Sequence, residues 1–448
     1  MTQEKALEVL KSGRNVFLTG SAGTGKTYVL NQFIQHLKDA QVEVAVTAST
    51  GIAATHLKGS TIHSWSGIGV KQELMPRDLA NLKKKKYLRD QFDETKVLII
   101  DEISMLHKQQ LNSIDKVLMY CLENNESFGG MQVVLCGDFF QLPPIGPYGE
   151  RSSDKFAFMS QAWQNADFNI CYLTEQFRQS ENALNDILGE IRSGTVSKSS
   201  LTQLQAAANT KFEAGIEPTK LYTHNADVDF INNTHLADLP GKSRFFKAKT
   251  KGEKSLVDVL KKTVLTQNEM ALRKGAKVMF VKNNKDKGYI NGTLGEVVEY
   301  SSLGIPVVKT LENKKITASP EEWSIDDEKG NSLASYTQIP LRLAWAITVH
   351  KSQGMTLDAA ELDLSKTFER GQGYVALSRL RDIKYLRLLG FNPTSLQVDG
   401  LAMKADHRFT ELSTELEELL TSEELKEESK IFIRKCGGRV LKKLPPKE

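Results

Sequence analysis

Four short apolar runs in the first 140 residues, most of them trailed by a stretch of helical period, set the expected architecture. NVFLTG (15–20), VEVAVTAS (42–49), KVLIID (96–101) and MQVVLCGD (131–138) are almost uninterruptedly apolar rather than strictly alternating. A strand apolar on both faces is buried on both, as in a parallel sheet covered by helices. Helical spacing runs from Lys26 to about Lys38, through Ile52–Leu57 and around Leu106–Leu122. The two periods together predict an α/β lobe with a parallel sheet, in which ligands bind where strands end and helices begin.

Between Lys71 and Lys96 polarity rises and no strand pattern survives, so an insertion with a short helix of its own is expected. After Tyr172 the alternation resumes with KLYTH (220–224) and a helix from Ala226 to about Leu239. Within 275–318 the runs KVMFV, GEVVEY, IPVVK and KKITA are separated by turn residues, the pattern of a small β-barrel. Strand and helix alternate again from IPLRLAWAITVHKSQG to YLRLLGF (385–391). The expectation is two α/β lobes, with a β-rich module inserted in the second. From Glu411 the chain reads as an acidic helix to Glu428, and the basic end beyond Lys430 reads as a solvated terminus.

Composition changes this picture little. Of the 448 residues 40% are hydrophobic and 25% charged, which excludes a disordered chain and is enough for more than one core. No apolar window reaches the length of a membrane span, and the start MTQEKALEVLKSG is not an export signal. Cys121, Cys136, Cys171 and Cys436 form no C-x-x-C pair, so no zinc or iron–sulfur site is expected. The net charge of +4 is uninformative until it is localised. Between Arg244 and Lys287 thirteen Lys or Arg face four acids, a local +9, which leaves −5 for the rest. Such a segment suits a phosphate backbone, whereas the shorter Lys83–Lys86 cluster reads as a solvated face.

The sharpest chemical signal is Gly20-Ser21-Ala22-Gly23-Thr24-Gly25-Lys26-Thr27, which fits G-x-x-x-x-G-K-[ST] at a strand-to-helix junction. Glycines let the backbone curl so that N–H groups aim at phosphate oxygens. Lys26 then reaches the β- and γ-phosphates, and Thr27 holds Mg²⁺. Asp101 and Glu102 end the buried run VLIID-E, where an acid is costly unless it meets a cation or water. Asp101 is the candidate Mg²⁺ ligand and Glu102 the group that polarises the attacking water. Gln141, in GDFFQLPPI, is placed to sense the γ-phosphate. Arg178 and Arg379 lie in the second expected lobe; on chemistry alone they read as surface or ion-pair residues, or as arginine fingers.

The order of these blocks resembles that of Pif-type helicases, named for petite integration frequency, within superfamily 1B. The likeness rests on TQEKALEVLKSGRNVFLTGSAGTGKT, TASTGIAATHLKGSTIHSW, DEISM, FGGMQVVLCGDFFQLPPI, LTEQFRQ, AITVHKSQGMTLD and YVALSRLR, and covers roughly residues 1–400. It implies two RecA-like lobes with a Src-homology-3-like barrel and a wedge insertion. The first lobe would take 1–65 and 97–170, with the wedge at 66–96. The second would take 171–240 and 341–400, with the insertion 241–340 carrying the basic segment and the barrel, and a helical, basic tail at 401–448.

The resemblance also assigns roles. Gln3, 23 residues before Lys26, stands where the family reads adenine. Gly23, Thr24, Gly25, Lys26 and Thr27 bind ATP, Thr27 and Asp101 hold Mg²⁺, and Glu102 is the catalytic acid. Gln141, Arg178 and Arg379 match the γ-phosphate sensor and the two arginines. Thr50, His63 and Trp65 fall in one block that contacts single-stranded DNA, and His350 and Lys351 in another. The implied activity is ATP-dependent, 5′-to-3′ translocation on single-stranded DNA with unwinding of forked duplex. G-quadruplex DNA and RNA–DNA hybrids are further expected substrates, and telomere maintenance, repair and recombination the expected settings. A monomer without a membrane partner is expected, in the bacterial cytoplasm, or in the nucleus or mitochondrion if the chain is the core of a longer eukaryotic protein.

Opening a base-pair step takes about 1.4 kcal/mol, and stacking a freed base on an aromatic platform returns roughly 1–3 kcal/mol. Binding therefore melts a few pairs at most, and sustained motion needs ATP. The rival reading is a superfamily-1B translocase that strips proteins from single strands with little unwinding. A degenerate, non-catalytic nucleotide switch is disfavoured by the intact Lys26, Asp101, Glu102, Gln141, Arg178 and Arg379.

Overall fold

The computed structural model describes residues 1–440 apart from 51–52, 55–56, 58, 70, 72, 145, 148, 176–182, 213–217, 265, 283, 285, 290–291, 311–312, 327–331, 354, 356 and 358. Its contacts form two compact units. One comprises Met1–Lys211 and returning segments that begin at Gln353 and Leu364; the other comprises Phe212–Ser352 and Ala359–Asp363.

The first unit is built on a six-stranded sheet: β1 (Val16–Gly20), β2 (Val44–Ala48), β3 (Ser60–Thr61), β4 (Val97–Asp101), β5 (Gln132–Cys136) and β6 (Asn169–Leu173). The order is β3-β2-β4-β5-β1-β6, and every pairing is parallel. The four apolar runs became β1, β2, β4 and β5. β1 and β5 are buried at every position, because helices cover both faces of the sheet. On one face the helices Gln3–Lys11 and Lys26–Asp39 bring Val9, Leu10, Leu30, Phe33 and Leu37 into one core with Val16, Leu18 and Val134.

Three boundaries differ from the sequence reading. β6 lies at 169–173 and pairs with β1 from Val16↔Asn169 to Gly20↔Leu173, and the helices Ala183–Ser193 and Lys198–Ala206 follow in the same unit. A second lobe therefore does not begin at 171; Asn169 and Tyr172 interrupt the apolar run NICYL, so it does not read as a fifth strand. The insertion carries two helices, Pro76–Lys84 and Lys86–Glu94, where one was expected. Their buried Leu82, Leu88 and Phe92 meet Trp65 and the tight turn at Gly67, where an added Cβ would lie 2.8 Å from Leu88. The third difference is the tail. Helix Gly400–Leu419 is followed by Ser422–Lys435, which packs on Gln3–Lys11 with Ile433 buried. Arg14 forks onto Glu428 at 2.9 and 2.6 Å, and the Phe432 ring occupies the space a side chain at Gly13 would need. The basic residues to Lys435 thus sit on a docked helix, because its apolar stripe finishes the core. Residues 441–448 lie outside the described set, as does half of the helix read at 52–57.

In the second unit β7 (Thr219–Tyr222) is flanked by two parallel strands further along the chain, Ala346–Thr348 and Ala360–Leu364. Helix Asn225–Asp238 follows β7. Between them an antiparallel module contains a five-stranded sheet of Lys277–Phe280, Leu294–Tyr300, Pro306–Thr310, Lys315–Thr317 and Leu341–Leu343 around Val278, Phe280, Val297, Val308 and Leu341. Arg244–Lys247, from the basic segment, pairs with Glu269–Leu272, and Lys249–Gly252 with Ser332–Gln338. The side chains of Arg244, Lys247, Lys249 and Lys251 are all exposed.

Candidate nucleotide site

The phosphate loop leaves β1 at Gly20 and enters the helix at Lys26. Gly20, Gly23 and Gly25 have φ of 140°, 92° and 84°, values that glycine adopts without strain. The loop's shape is fixed from inside by Thr24, fully buried, whose hydroxyl donates to Ser21 O at 2.9 Å. The Lys26 ammonium curls onto the carbonyls of Gly20 and Ser21, at 2.8 and 2.9 Å. Those neutral acceptors are weaker partners than charged phosphate oxygens, so the same amine can exchange them for an anion at the helix N-terminus. Thr27, one residue on, is exposed. Gln3 donates from Nε2 to Thr24 O at 3.0 Å and lies directly over Gly25, where a Cβ would come within 2.0 Å of it.

The acid pair sits at the tip of β4. Ser49 holds the chain there, donating its N–H to Asp101 O at 3.1 Å and its hydroxyl to Glu102 O at 2.7 Å. Glu102 is left-handed at φ 53°, an uncommon conformation for a residue with a Cβ, and it redirects the chain so that two consecutive acids serve one place. Burial, and then the Glu102 charge, push the Asp101 carboxyl up to about 7, against the pull of the Cys136 hydrogen bond and the Lys26 charge. Excess negative charge in a half-buried position is what a divalent cation offsets. The Thr27 hydroxyl and the two carboxylates are hard oxygen donors suited to Mg²⁺. Among the described residues no group of three or more His, Cys, Asp or Glu forms a protein cage, so the substrate's phosphates would complete the coordination.

Gln353 was not singled out by the sequence reading. Its Nε2 donates to Glu102 Oε2 at 3.2 Å, its side chain is buried, and its Oε1 has no partner among the described residues. Its signal in the sequence is the block HKSQG, which also holds His350 and Lys351. Gln141 is also buried with Oε1 unpartnered, and its N–H closes a turn onto Asp138 O at 3.0 Å. Arg379 was expected in a second lobe, but it belongs to the first unit, because the segment from Leu364 returns to it. Its guanidinium is buried and braced by Val375 O at 2.9 Å, Ser378 Oγ at 2.8 Å and Met355 O at 3.3 Å. Arg178 lies outside the described residues.

The residues expected to touch DNA are dispersed. Thr50 accepts the Ala53 N–H at 3.3 Å, as a cap does. Trp65 is 8% exposed, its ring 5.1 Å from that of Phe92, so it anchors the insertion and offers no open stacking face. His63 is half-buried; burial lowers its pKa against the opposing hydrogen bond with Gln110. His350 and Lys351 belong to the second unit, on the short helix Val349–Ser352. Burial, aided by Arg342 and opposed by Asp229, takes the Lys351 ammonium down to about 8. Cys121, Cys136 and Cys171 are buried free thiols and Cys436 is partly buried. No described helix is long and apolar enough to cross a membrane.

Comparison with known proteins agrees with this geometry. The family profile "PIF1-like helicase" matches residues 2–200, and that of the "DNA helicase Pif1, 2B domain" matches 255–300. The chain is 48% identical over 504 aligned positions to the ATP-dependent DNA helicase Pif1 of Psychrobacter, covering 99% of this chain and 76% of that one. It spans 62% of the human ATP-dependent DNA helicase PIF1, at 37% identity. The crystal structure of Pif1 helicase from Candida albicans superposes with a TM-score of 0.84 at 35% identity, over 91% of this chain and 98% of that one. Bacteroides Pif1 in complex with ADP-AlF3 and single-stranded DNA gives 0.77 at 32% identity, over 91% and 96%. With two family profiles matched and a relative 48% identical over 99% of this chain, the chain belongs to the PIF1-like helicase family.

Proposed function

We propose that the protein is an ATP-dependent DNA helicase that moves 5′ to 3′ on single-stranded DNA and unwinds forked duplex. One observation carries this reading: a glycine-fixed phosphate loop and an Asp–Glu pair occupy strand ends of one parallel sheet, where the Lys26 charge acts on Asp101. Lys26 exchanges the Gly20 and Ser21 carbonyls for the β- and γ-phosphates. Thr27 and Asp101 would hold Mg²⁺, which would supply positive charge beside the phosphates. Glu102, oriented by Gln353, takes the proton of the attacking water. Gln141 turns its amide N–H group to the γ-phosphate, with Arg379 and Arg178 supplying positive charge as the equatorial oxygens gain electron density. Gln3, seated over Gly25, reads the base.

The exposed Arg244, Lys247, Lys249 and Lys251, together with Lys351, are proposed to follow the DNA backbone. Thr50 and His63 are proposed as single-strand contacts, and His350 as their counterpart beside Lys351. Trp65 is proposed to act through the insertion that it anchors. G-quadruplex DNA and RNA–DNA hybrids are proposed further substrates, with action as a monomer in a bacterial cytoplasm, in keeping with 48% identity to a bacterial relative. The experiment is unwinding of two matched partial duplexes, one with a 5′ and one with a 3′ single-stranded tail, with a Lys26→Ala control. Opening of the 5′-tailed duplex alone, lost in the control, is expected. DNA-stimulated ATP hydrolysis without opening of either would instead support a protein-stripping translocase.

A further inference from the structure

The turn that presents Gln141 rests on a buried ionic network drawn from five separate segments of the first unit. Asp138 is 1% exposed, and its Oδ1 accepts the Phe140 N–H at 3.1 Å, which forms the turn. Its Oδ2 accepts from Arg192 Nη1 at 2.8 Å and from the Tyr374 hydroxyl at 3.0 Å. Arg192 Nη1 also lies 3.0 Å from the Tyr374 oxygen, while Nη2 donates to the Tyr172 hydroxyl at 2.8 Å and to Asp406 Oδ1 at 3.1 Å. The guanidinium carbon lies 4.1 Å from the centroid of the Phe140 ring. Burial alone would weaken its charge, but Asp138, Tyr374, Tyr172 and Asp406 hold it firmly protonated.

Two groups of the proposed ATPase hang from this network. Gln141 follows Phe140, and its N–H bonds back to Asp138 O. Tyr374 lies on helix Gln372–Leu377, whose Val375 carbonyl braces Arg379. At the start of that helix Gly371 abuts the Gln141 turn so closely that a Cβ would lie 2.8 Å from Phe140 O and 2.9 Å from Gln141 O. Phe139 pins the opposite side of the turn, 4.7 Å from Phe158 and 5.4 Å from Phe17. A buried ion pair often contributes no more stability than well-packed apolar residues, so its distinctive output is a fixed geometry.

We propose that Arg192 is a positioning residue for ATP hydrolysis: through Asp138 and Tyr374 it fixes the Gln141 turn and the Arg379 segment relative to one another, with Asp406 of the C-terminal helix Gly400–Leu419 as its outer support. The proposal rests on the reading of Gln141 and Arg379 as γ-phosphate groups. Arg192 touches neither, so its removal should misplace them without emptying the phosphate loop.

The test compares Arg192→Gln, Arg192→Lys and Tyr374→Phe with wild type and with Gln141→Ala. The readouts are DNA-stimulated ATP hydrolysis, affinity for ADP and for ADP–aluminium fluoride, and melting temperature. Arg192→Gln is expected to lower kcat by on the order of 10- to 100-fold, the loss typical of sub-ångström to ångström misplacement. ADP–aluminium fluoride affinity should fall in step, while ADP affinity stays within about threefold because the phosphate loop is intact. Arg192→Lys should not rescue, since an ammonium cannot fork onto Asp138, Tyr172 and Asp406 together. Tyr374→Phe keeps the packing and loses one hydroxyl, so a smaller kcat loss at near-native melting temperature decides the matter should Arg192→Gln not fold. Wild-type kcat in both Arg192→Gln and Tyr374→Phe, or ADP affinity and melting temperature falling together with kcat in Tyr374→Phe, would overturn the proposal. Should Gln141→Ala retain full kcat, the sensor reading fails, and the network proposal with it. Should Gln141→Ala lose kcat while the Arg192 variants keep it, the network proposal alone fails.

Discussion

Gly25 and Gln3 offer a test in which two separable costs can be worked out beforehand. At Gly25 φ is 84°, and a Cβ there would lie 2.0 Å from Gln3 Nε2. Gly25→Ala therefore incurs the left-handed cost of an L residue, about 1–2 kcal/mol. It also drives Gln3 off the loop, breaking its bond to Thr24 O, which contributes about 1 kcal/mol. At about 1.4 kcal/mol per tenfold, the sum predicts a rise in nucleotide Kd of roughly 30- to 150-fold. Gln3→Ala alone removes only the second part, a rise of about fivefold, and loses the preference for adenine. In the double variant the clash has no partner, so its Kd should match that of Gly25→Ala within about twofold, a coupling of about 1 kcal/mol. The assay is binding of a non-hydrolysable ATP analogue and of its guanine counterpart across the four proteins. Strict multiplication of the two single effects would show that Gln3 and Gly25 do not share the space and would refute the reasoning.

Four other outcomes are expected. Gln353→Ala should lower kcat for ATP hydrolysis about tenfold with little change in KM, because it frees Glu102 without touching the loop; an unchanged kcat would show that the Glu102 contact is idle. Deleting 71–90 should weaken unwinding more than DNA-stimulated ATPase, and an equal loss of both would refute a wedge role for the insertion. Lys351, whose ammonium is held down to about 8, should lose its charge in the free protein as pH rises from 7 to 9. Single-stranded DNA affinity should then fall across that range in wild type, and less in Lys351→Arg, which stays charged. The sign for folding is opposite. The unfolded chain binds more protons between pH 8 and 10.5, so Lys351 opposes folding below pH 8 and ceases to do so as pH rises through that window. Lys351→Met should flatten this part of the stability profile measured by urea unfolding.

How much of the fold could be read from the chain depended on how locally each element is encoded. β1, β2, β4 and β5 declared themselves because near-complete burial keeps a strand almost uninterruptedly apolar, whatever its partners. β6 did not, for Asn169 and Tyr172 interrupt its apolar run and only pairing with β1 makes it a strand. The tail misled for a related reason. Helix Ser422–Lys435 shows eight charged side chains to solvent or ion pairs, and just Leu425, Phe432 and Ile433 reach the core shared with Gln3–Lys11. So sparse a stripe reads as a solvated end until its partner helix is known.

The candidate site divides along the same line. Lys26, Thr27, Asp101, Glu102 and Gln141 were legible because phosphate chemistry demands particular side chains at strand ends, and neighbours in sequence supply the geometry. The groups that hold them in place are drawn from everywhere. Gln353 reaches Glu102 across 251 positions, and Arg192 joins residues 138, 172, 374 and 406, each unremarkable in its own segment. Nothing in a period of two or of 3.6 marks a side chain whose partners lie in other segments. Burial does mark it, once the fold is known: a guanidinium that is 11% exposed must meet anions or pay a desolvation cost too large for folding to bear. The motifs therefore report what chemistry is available, and the buried polar contacts report what fixes its geometry. For Gln141, the proposed sensor, that geometry sets how its amide N–H group meets a bound γ-phosphate.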